Sequence, residues 1–346
     1  MTPSTAANAK NYFEQRAPRY AAALRGCPLA RLLDLLPYLA SMGLISDRSN
    51  QPREACDAFG GTGFLARWLG REHLRFTVVD CCNSMLDAAD GLQRYSTHND
   101  FADFAEATGR PTFSMVTCHG GLHHVVQLGP DGIPDPTASR QRQTAIARRL
   151  ASLVHPGGVL VIADIPDRPS SGSHGAVSEQ RLDASLVHRL LGRDARDLLC
   201  EILPDKFGDG MVLQELARHI EASIATPVDF EVPRHFFDEY VARSTPHGHI
   251  AVYPDFDELT LAASECGLKP AGSVNFRGPW VFKNTQEAGW FFREKFSVDR
   301  ASGLGADPSS ERRMCDVLAR YLGVRELTTR CFVNWGVTYA VFVRQP

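Results

Sequence analysis

The chain has 346 residues, of which 44% are hydrophobic and 22% charged, the composition of an ordinary globular protein that can bury a sizeable core. Lys and Arg number 37 against 40 Asp and Glu, so a basic surface for a nucleic acid partner is not expected. No stretch approaches the roughly 18 apolar residues of a membrane span, and the N-terminus lacks the apolar region of a signal peptide, so the sequence predicts a cytoplasmic protein without a membrane partner.

Helical periodicity opens the chain. Aromatic and cationic residues recur at three- and four-residue spacings in residues 11–24, where they are Tyr12, Phe13, Arg16 and Tyr20. A second apolar helical pattern follows at 29–44. We therefore expect residues 1–45 to form a helical cover.

Strand-like and helix-like segments alternate from residue 54 to residue 166. Short apolar segments, each followed by residues typical of turns, are predicted as strands at 55–59, 76–79, 114–118 and 159–165. Helices are predicted between them at 64–69, 84–95 and 144–153, and residues 96–104 are a weakly patterned candidate for a further strand. Because β-α-β alternation builds parallel sheets, residues 46–167 are expected to form a parallel-sheet core.

A Pro, Ser and Gly break at 168–175 begins a purely helical region. Helices are predicted in it at 177–192, 211–224 and 233–243. We interpret residues 168–250 as an inserted helical lid. Residues 251–346 then complete the core sheet, with predicted elements at 256–266 (helix), 273–276 (strand), two more helices and a final strand at 330–343.

A glycine-rich segment follows the first predicted strand, where residues 57–66 read DAFGGTGFLA. Glycines permit a tight turn and let a ligand lie against the main chain and the helix N-terminus. The segment 61–66 fits the dinucleotide fingerprint with Ala at its last position, so an NAD-binding oxidoreductase is one interpretation. Asp57, three residues before Gly60, would repel a pyrophosphate but attract an ammonium group. The carboxylate of Asp80, at the end of the next strand, could accept the hydroxyls of an unphosphorylated ribose. It therefore does not separate NAD from a ligand that carries an ammonium group.

The order of these features resembles the class I S-adenosylmethionine-dependent methyltransferase family. The shared features are an acidic strand with a Gly-rich turn, an acid-ended strand, a helix that begins Asn83-Ser84-Met85-Leu86, and the turn Pro156-Gly157-Gly158 before a later strand. The resemblance covers about residues 12–166 well and the C-terminal third loosely. It implies a doubly wound, mostly parallel seven-stranded Rossmann-like α/β sheet with helices on both faces, and S-adenosyl-L-methionine rather than NAD as ligand.

The resemblance also implies which residues bind this co-substrate. Asp57 and the backbone of the turn would hold the methionine part and the ribose, the turn glycines being Gly60, Gly61 and Gly63. Asp80 would accept the ribose hydroxyls, and Cys81 and Met85 would contact the adenine faces.

Two further groups complete the implied binding site. Asp100 with Phe101 would contact the adenine edge, with Asp103 as the competing acid. Arg16 could reach the methionine carboxylate, and the ring of Tyr12 or Tyr20 could contact the sulfonium by cation–π attraction. The alternative is that these aromatic residues of the first helix are core.

Residues 117–125, which read TCHGGLHHV, follow the fourth strand. They lie at the edge where the resemblance places the transferred methyl group. His119 is expected beside the co-substrate, and His123 or His124 is the candidate proton acceptor. The alternative is a structural role for these histidines. A metal site is not expected, because no carboxylate lies at ligand spacing from the pair.

Aromatic and histidine side chains that would line the acceptor side, or else belong to the core, are Tyr240, His247, His249, Tyr253, Trp280, Trp290, Phe291 and Phe292. An enclosing lid suits a small acceptor.

The leading hypothesis is methyl transfer to a small molecule, in secondary metabolism, by a monomer or homodimer. The alternative on the same site is a cyclase or lyase that consumes adenosylmethionine alone and releases methylthioadenosine, as azetidine-2-carboxylate-forming enzymes do. A catalytically silent binding protein is disfavoured, since both acids and all the glycines are present.

Overall fold

The computed structural model describes residues 5–46, 53–70, 74–109, 112–167, 231–242, 249–276, 278–298, 308–326 and 330–346. The helices predicted at 177–192 and 211–224, and His247, lie outside these ranges. Within them, no helix combines the length and the apolar character needed to cross a bilayer.

The strands of the described residues form one large sheet and two small ones. In chain order they are β1 (Arg53–Ala58), β2 (Leu74–Asp80), β3 (Gln93–Ser96), β4 (Phe113–His119), β5 (Gln127–Leu128), β6 (Pro134–Asp135), β7 (Val154–Asp164), β8 (Leu268–Phe276), β9 (Trp280–Phe282), β10 (Val324–Glu326), β11 (Cys331–Val333) and β12 (Val337–Arg344). The large sheet has seven strands in the order β3-β2-β1-β4-β7-β12-β8. Its first five strands are parallel to one another, and β12 runs antiparallel to both β7 and β8.

Helices cover both faces of this sheet. In chain order they are α1 (Thr5–Gly26), α2 (Leu36–Met42), α3 (Phe64–Leu69), α4 (Asn83–Asp87), α5 (Ala102–Thr108), α6 (Pro136–Ser152), α7 (Glu231–His235), α8 (Phe256–Glu265), α9 (Thr285–Phe296) and α10 (Pro308–Tyr321). One apolar cluster joins α2, α3, α9 and α10 to one face, and a second joins α5, α6 and α8 to the other. The predicted fold class, a doubly wound and mostly parallel seven-stranded α/β sheet, is confirmed.

Local sequence explains where several of these elements begin. The central strands β4 and β7 are buried on both faces, as expected for a parallel sheet covered by helices. The helix α6 begins with Pro136 in its first turn, and the side chain of Asp135 accepts a hydrogen bond from the Ala138 amide, which satisfies one of the amides that a helix N-terminus leaves open. The side chain of Asp255 caps α8 in the same way.

The prediction of one helix over residues 84–95 is wrong. The helix α4 ends at Asp87, the chain turns at Gly91 with φ +75°, and β3 follows at residues 93–96. The residues 96–104 are therefore not a strand, and α5 begins within them. Strand β3 is the edge of the sheet and its side chains are exposed or half-buried, so it lacks the apolar signal that identifies a central strand.

The predicted final strand at 330–343 is also wrong as a single element. It is divided at residues 334–336 into β11 and β12, which belong to different sheets. Strand β11 pairs with β9 and β10 in a three-stranded sheet that the sequence does not predict. Each of these strands has only three residues, too few for a periodic pattern to be recognised. The second helical pattern, at 29–44, is a short 3-10 turn (Leu32–Leu35) followed by α2.

Candidate functional site

A cavity of about 380 Å³ lies at the carboxyl ends of β1, β2, β4 and β7. In open α/β sheets this edge, near the point where the strand order reverses, is where ligands bind. Of the site residues predicted from the sequence, those that line the cavity are Arg16, Tyr20, Asp57, Gly60, Gly61, Asp80, Cys81, Met85, Asp100, Phe101, His119, His123 and His124. Gly63 belongs to the turn but not to this lining, and the side chain of Tyr12 lies outside the described residues.

One carboxylate oxygen of Asp57, near the end of β1, has a hydrogen-bond partner, and the other has none among the described residues. Its Oδ1 accepts a hydrogen bond from the Thr117 hydroxyl at 3.0 Å. Its Oδ2 is buried and has no hydrogen-bond partner among the described residues. Burial raises the pKa of the Asp57 carboxyl to about 7, with a further contribution from the nearby charge of Asp80. A buried carboxylate without a partner is costly, and a ligand cation at Oδ2 would remove that cost.

The glycine turn gives the cavity a wall of bare backbone. A Cβ at Gly60 would lie 2.6 Å from the Asp57 carbonyl oxygen, so no side chain fits there. Gly61 has φ +53°, and a Cβ on it would have the Asp80 Oδ2 as its nearest neighbour at 4.0 Å, so a side chain would extend into open cavity. Gly63, with φ +74°, instead precedes α3 and packs against Leu92. Gly60 and Gly61 thus border the ligand space, and Gly63 shapes the turn.

Asp80 lies at the end of β2 beside this turn. Its two carboxylate oxygens accept backbone hydrogen bonds from Gly61 and Cys82, each at 2.9 Å. Burial raises the pKa of its carboxyl above the usual value. Each carboxylate oxygen can accept more than one hydrogen bond, so Asp80 is held in position with acceptor capacity remaining on the cavity side.

The two candidate acids beyond β3 have different surroundings. Asp100 lines the cavity and forms a two-point ion pair with Arg142, with its Oδ1 2.7 Å from the guanidinium. Asp103 accepts hydrogen bonds from Thr97 and the His98 amide and is not among the residues of the lining. Of the pair, Asp100 is the one positioned to meet a ligand.

The helix α1 carries Arg16 and Tyr20 to the cavity from the N-terminal side. The buried guanidinium of Arg16 donates a hydrogen bond to the Lys295 carbonyl and lies 5.4 Å from the Phe13 ring. The Lys295 ammonium lies 5.4 Å from the Tyr20 ring. Phe13 and Tyr20 of α1 therefore line the cavity rather than only a core.

His119, at the end of β4, is tied to the protein on both sides. The Tyr38 hydroxyl is hydrogen-bonded to its Nδ1 at 2.8 Å, and the Asp34 carboxylate lies 3.7 Å from its Nε2. Burial lowers the pKa of His119 well below its usual value. A neutral, anchored ring is suited to shaping the cavity.

His123 and His124 lie on a 3-10 turn, Leu122–His124, after β4. Asp164, the fully buried last residue of β7, accepts a hydrogen bond from the His123 amide at 3.1 Å and lies 2.6 Å from the His123 Nδ1. A carboxylate at this distance favours a proton on Nδ1, so in the neutral ring the lone pair lies on Nε2. The sequence analysis missed Asp164, although a single acid at the end of an apolar strand was a signal for it.

His249 joins the pair from the segment before α8. Its ring stacks on Phe237 at 4.5 Å, and the rings of His123 and His124 lie 5.6 and 5.1 Å away. Burial lowers the pKa values of both His124 and His249 well below the usual one. These two imidazoles are therefore held neutral.

Gln143 of α6 fixes the two segments that carry these histidines. Its side-chain amide donates to the carbonyls of Leu122, at 3.0 Å, and Val252, at 2.7 Å. The Val252 amide also donates to the His123 carbonyl at 3.0 Å. Buried hydrogen bonds therefore hold together the two segments that carry the three histidines.

A cationic group that the sequence analysis missed forms another wall. Arg31 pairs with the buried Asp34 at 2.8 Å, and the Lys295 ammonium lies 4.2 Å from the Trp280 ring. Burial, reinforced by the charge of Arg31, lowers the pKa of Lys295 well below its usual value. The charged residues of this wall lie within helical or short strand patterns. Their spacing therefore did not predict a functional site.

The residues predicted to line the acceptor side are divided between cavity and core. His249 and Trp280 line the cavity, together with Phe237, Phe296 and Trp335, which were not predicted. Phe291 and Phe292 are fully buried in the apolar core, so a lid role for them is wrong. Tyr253 is buried and its hydroxyl donates to Asp238, and Tyr240 and Trp290 pack against the same core.

Comparison with known proteins gives structural neighbours alone. No family model matches the chain, and no curated protein matches it. A putative methyltransferase from Bacillus halodurans is 13% identical, with 90% of this chain and 98% of that chain covered and a TM-score of 0.43. The 4+2 cyclase SpnF is 10% identical, with coverages of 91% and 80% and a TM-score of 0.42.

A third solved structure is PKMT2 from Rickettsia typhi in complex with AdoHcy. It is 15% identical, with 89% of this chain and 52% of that chain covered and a TM-score of 0.39. At such identities the chemistry of the cavity has to be argued from its own residues.

Proposed function

We propose that this chain is a class I S-adenosylmethionine-dependent methyltransferase that acts on a small molecule of secondary metabolism. The observation that carries the proposal is the open Oδ2 of Asp57, a buried carboxylate oxygen without a partner among the described residues at the glycine turn. The α-ammonium of adenosylmethionine would complete it. A pyrophosphate would bring a second negative charge to the same place, which argues against NAD.

The surroundings of Asp57 fit the rest of the ligand. Asp80, held by two backbone amides, keeps lone pairs for a ribose diol, and charge-assisted hydrogen bonds of this kind are strong. Gly61 leaves the space beside Asp80 free of a side chain, and the backbone of Gly60 borders the cavity. Phe101, Met85 and Cys81 border the cavity on the Asp80 side, where a flat apolar base would lie.

Adenosylmethionine supplies a methyl group on a positively charged sulfur, which departs readily. The protein therefore needs to hold an acceptor in line with that methyl, exclude water and assist loss of the acceptor's proton. His123, which lines the cavity and whose ring is held by Asp164, would serve the last of these tasks through its Nε2. The aromatic walls at Phe237, Phe296 and Trp335 favour a small acceptor with apolar surface.

Product analysis tests the proposal. Purified protein is incubated with adenosylmethionine, alone and with a panel of small phenols, amines and carboxylic acids. Adenosylhomocysteine that forms only with an added acceptor is the expected result. Methylthioadenosine above the spontaneous background would instead support the cyclase or lyase alternative, and saturable NAD binding with no response to adenosylhomocysteine would overturn both.

A matched pair of variants assigns the binding site. Asp57→Asn removes the charge at the open oxygen and is expected to abolish measurable adenosylhomocysteine binding. Asp90→Asn, which makes the same change at an exposed position, should leave the affinity unchanged. Equal affinities in the two variants would remove Asp57 from the site.

A further inference from the structure

Three histidines converge on one wall of the cavity. His123 and His124 come from the turn after β4, and His249 comes from the segment before α8. One ligand atom from each residue lies within 4.8 Å of those of the other two. All three residues line the cavity, so a group bound between them would be open to a ligand.

The ring of His249 is unsatisfied. Its side chain is 93% buried, being 7% exposed, and neither ring nitrogen has a hydrogen-bond partner among the described residues. A neutral imidazole has one donor and one acceptor, and leaving both unmade in a buried place is costly. A metal ion at the acceptor nitrogen would satisfy half of this demand.

Asp164 orients the ring of His123 so that this residue can also bind a metal ion. The carboxylate binds the Nδ1 side of the ring at 2.6 Å, which leaves the Nε2 lone pair available. Its oxygens also accept the backbone amides of His123 and Ile165, at 3.1 and 2.8 Å, so the carboxylate is occupied as an orienting group. A carboxylate behind a histidine is the arrangement that fixes ring orientation and raises ligand basicity in metal sites.

We propose that His123, His124 and His249 bind one divalent transition metal ion of the zinc type, with an open coordination position facing the cavity. Imidazole nitrogens suit such ions, and three protein ligands with a fourth position open is the pattern of catalytic rather than structural zinc. At Zn–N distances of about 2.0 Å the ligand nitrogens stand about 3.3 Å apart, so binding draws the three rings together. The third ligand is far along the chain, which is why the spacing of the His pair gave no metal site.

The role of the ion rests on the proposed function. An acceptor hydroxyl bound at the open position has its pKa lowered by the ion and releases its proton to solvent. Its oxygen then forms the bond to the methyl carbon, while the carbon–sulfur bond breaks and its electron pair stays on sulfur. In this arrangement the Nε2 of His123 acts as a ligand, and the ion assists loss of the proton.

Metal titration tests the site without any need for turnover. The full chain, purified without a polyhistidine tag and freed of metal with a chelator, is titrated with Zn²⁺ by calorimetry and with Co²⁺ by visible absorption. We expect one equivalent to bind, with cobalt bands typical of low coordination number. His249→Ala and His124→Ala should each lower the affinity by at least about 100-fold, and Asp164→Asn by about 10- to 100-fold.

The control is His155→Ala, which removes one exposed imidazole and should leave the affinity unchanged. Zinc binding that is as tight in His249→Ala as in the wild-type chain overturns the proposal. The absence of specific zinc binding by the wild-type chain overturns it as well. If circular dichroism shows that His249→Ala does not fold, His249→Gln, which keeps a polar side chain of similar size, takes its place.

Adenosylhomocysteine affinity, measured on the same samples with chelator present, separates the two proposals. Tight adenosylhomocysteine binding without zinc binding overturns the metal site alone. Zinc binding without adenosylhomocysteine binding leaves the metal site standing and overturns the proposed function.

Discussion

The carboxyl of Asp57 is a group of the cavity whose charge should change near neutral pH. Because burial raises the pKa of the carboxyl to about 7, the group is largely protonated in slightly acidic solution and ionised above neutrality. A cationic ligand needs the ionised form. Its affinity should therefore rise with pH until the carboxyl has lost its proton.

The first prediction is a pH profile of adenosylhomocysteine affinity, measured by calorimetry. The affinity should rise up to about tenfold per pH unit toward pH 7 and then level off, and it should decline only in alkaline solution, where the ligand's α-ammonium loses its proton. In Asp57→Asn the rising limb should be absent from any residual binding. A wild-type affinity that is constant from about pH 5 to pH 7 would contradict a protonated Asp57.

The second prediction concerns His123, which can assist the acceptor directly or through a metal ion. His123→Gln should lower kcat by about 10² to 10⁴ and leave adenosylmethionine affinity nearly intact, since the side chain acts on the acceptor rather than on the co-substrate. Steady-state kinetics and calorimetry on the same samples give the two numbers. His155→Gln, on the exposed surface, is the control.

A purely structural His123 would give a different pattern. The variant would then melt at a lower temperature but keep most of its kcat, because the loss of the Asp164 hydrogen bond would affect folding alone. Melting temperature and kcat therefore have to be measured together.

At the scale of elements, the turn between β1 and α3 depends on two different properties of glycine. Gly61 leaves room for a ligand beside Asp80, because a Cβ on it would have its nearest neighbour at 4.0 Å. Gly63 supplies a left-handed φ of +74° in a crowded place, where a Cβ would meet Leu92 at 2.4 Å. Left-handed backbone costs a non-glycine residue about 1–2 kcal/mol even in open space.

The third prediction compares two glycines with similar φ. Gly63→Ala should lower the free energy of unfolding by more than the strain of about 1–2 kcal/mol, because Leu92 must also move. Gly132→Ala, at φ +78° with nothing within 4 Å of its Cβ, should show the strain alone. Urea unfolding of both variants checks this, and equal losses would show that Leu92 yields without cost.

The sequence predicted elements well where periodicity and turn chemistry agreed. The helix at 64–69 was predicted with the bounds that the structure has, because Gly63 and Gly70 mark both of its ends. The failures fall where an element is short or lies at an edge, as in β3 and β11. There, pairing with a neighbour decides the conformation more than the local residues do.

In the candidate site, too, the residues with a local sequence signal were predictable and the others were not. Asp57, Asp80 and the glycines were predictable, because they are contiguous with strands and have a local signature. Asp164 and Lys295 reach the cavity from distant parts of the chain, and Gln143 holds the segments that carry the histidines. Their roles arise from hydrogen bonds and burial that no local spacing encodes. Asp164 was the nearest to being predictable, since it is a buried acid at a strand end.

For the whole molecule, the cavity draws on both ends of the described chain. The helix α1 supplies Arg16, α9 supplies Lys295, and the two helices pack against each other. A ligand held between the central strands and these helices should therefore stabilise the molecule as a unit rather than one loop.

The fourth prediction is a shift of global stability with ligand. Adenosylhomocysteine at about 100 times its Kd should raise the free energy of unfolding by about 2.7 kcal/mol, whereas the same concentration of NAD should have no effect. Thermal or urea unfolding followed by circular dichroism measures it. A shift with NAD, or none with adenosylhomocysteine, would contradict the assignment of the cavity.

The position of β12 has a consequence for how the protein is made. This strand is synthesised after every other strand of the large sheet, yet it lies inside the sheet, between β7 and β8. Until it leaves the ribosome, β7 has an open edge and β8 has no partner in the sheet. An open strand edge invites pairing with another chain. Nascent or truncated chains that lack β12 should therefore need a chaperone to stay out of aggregates, and the sheet should close only after translation has passed residue 344.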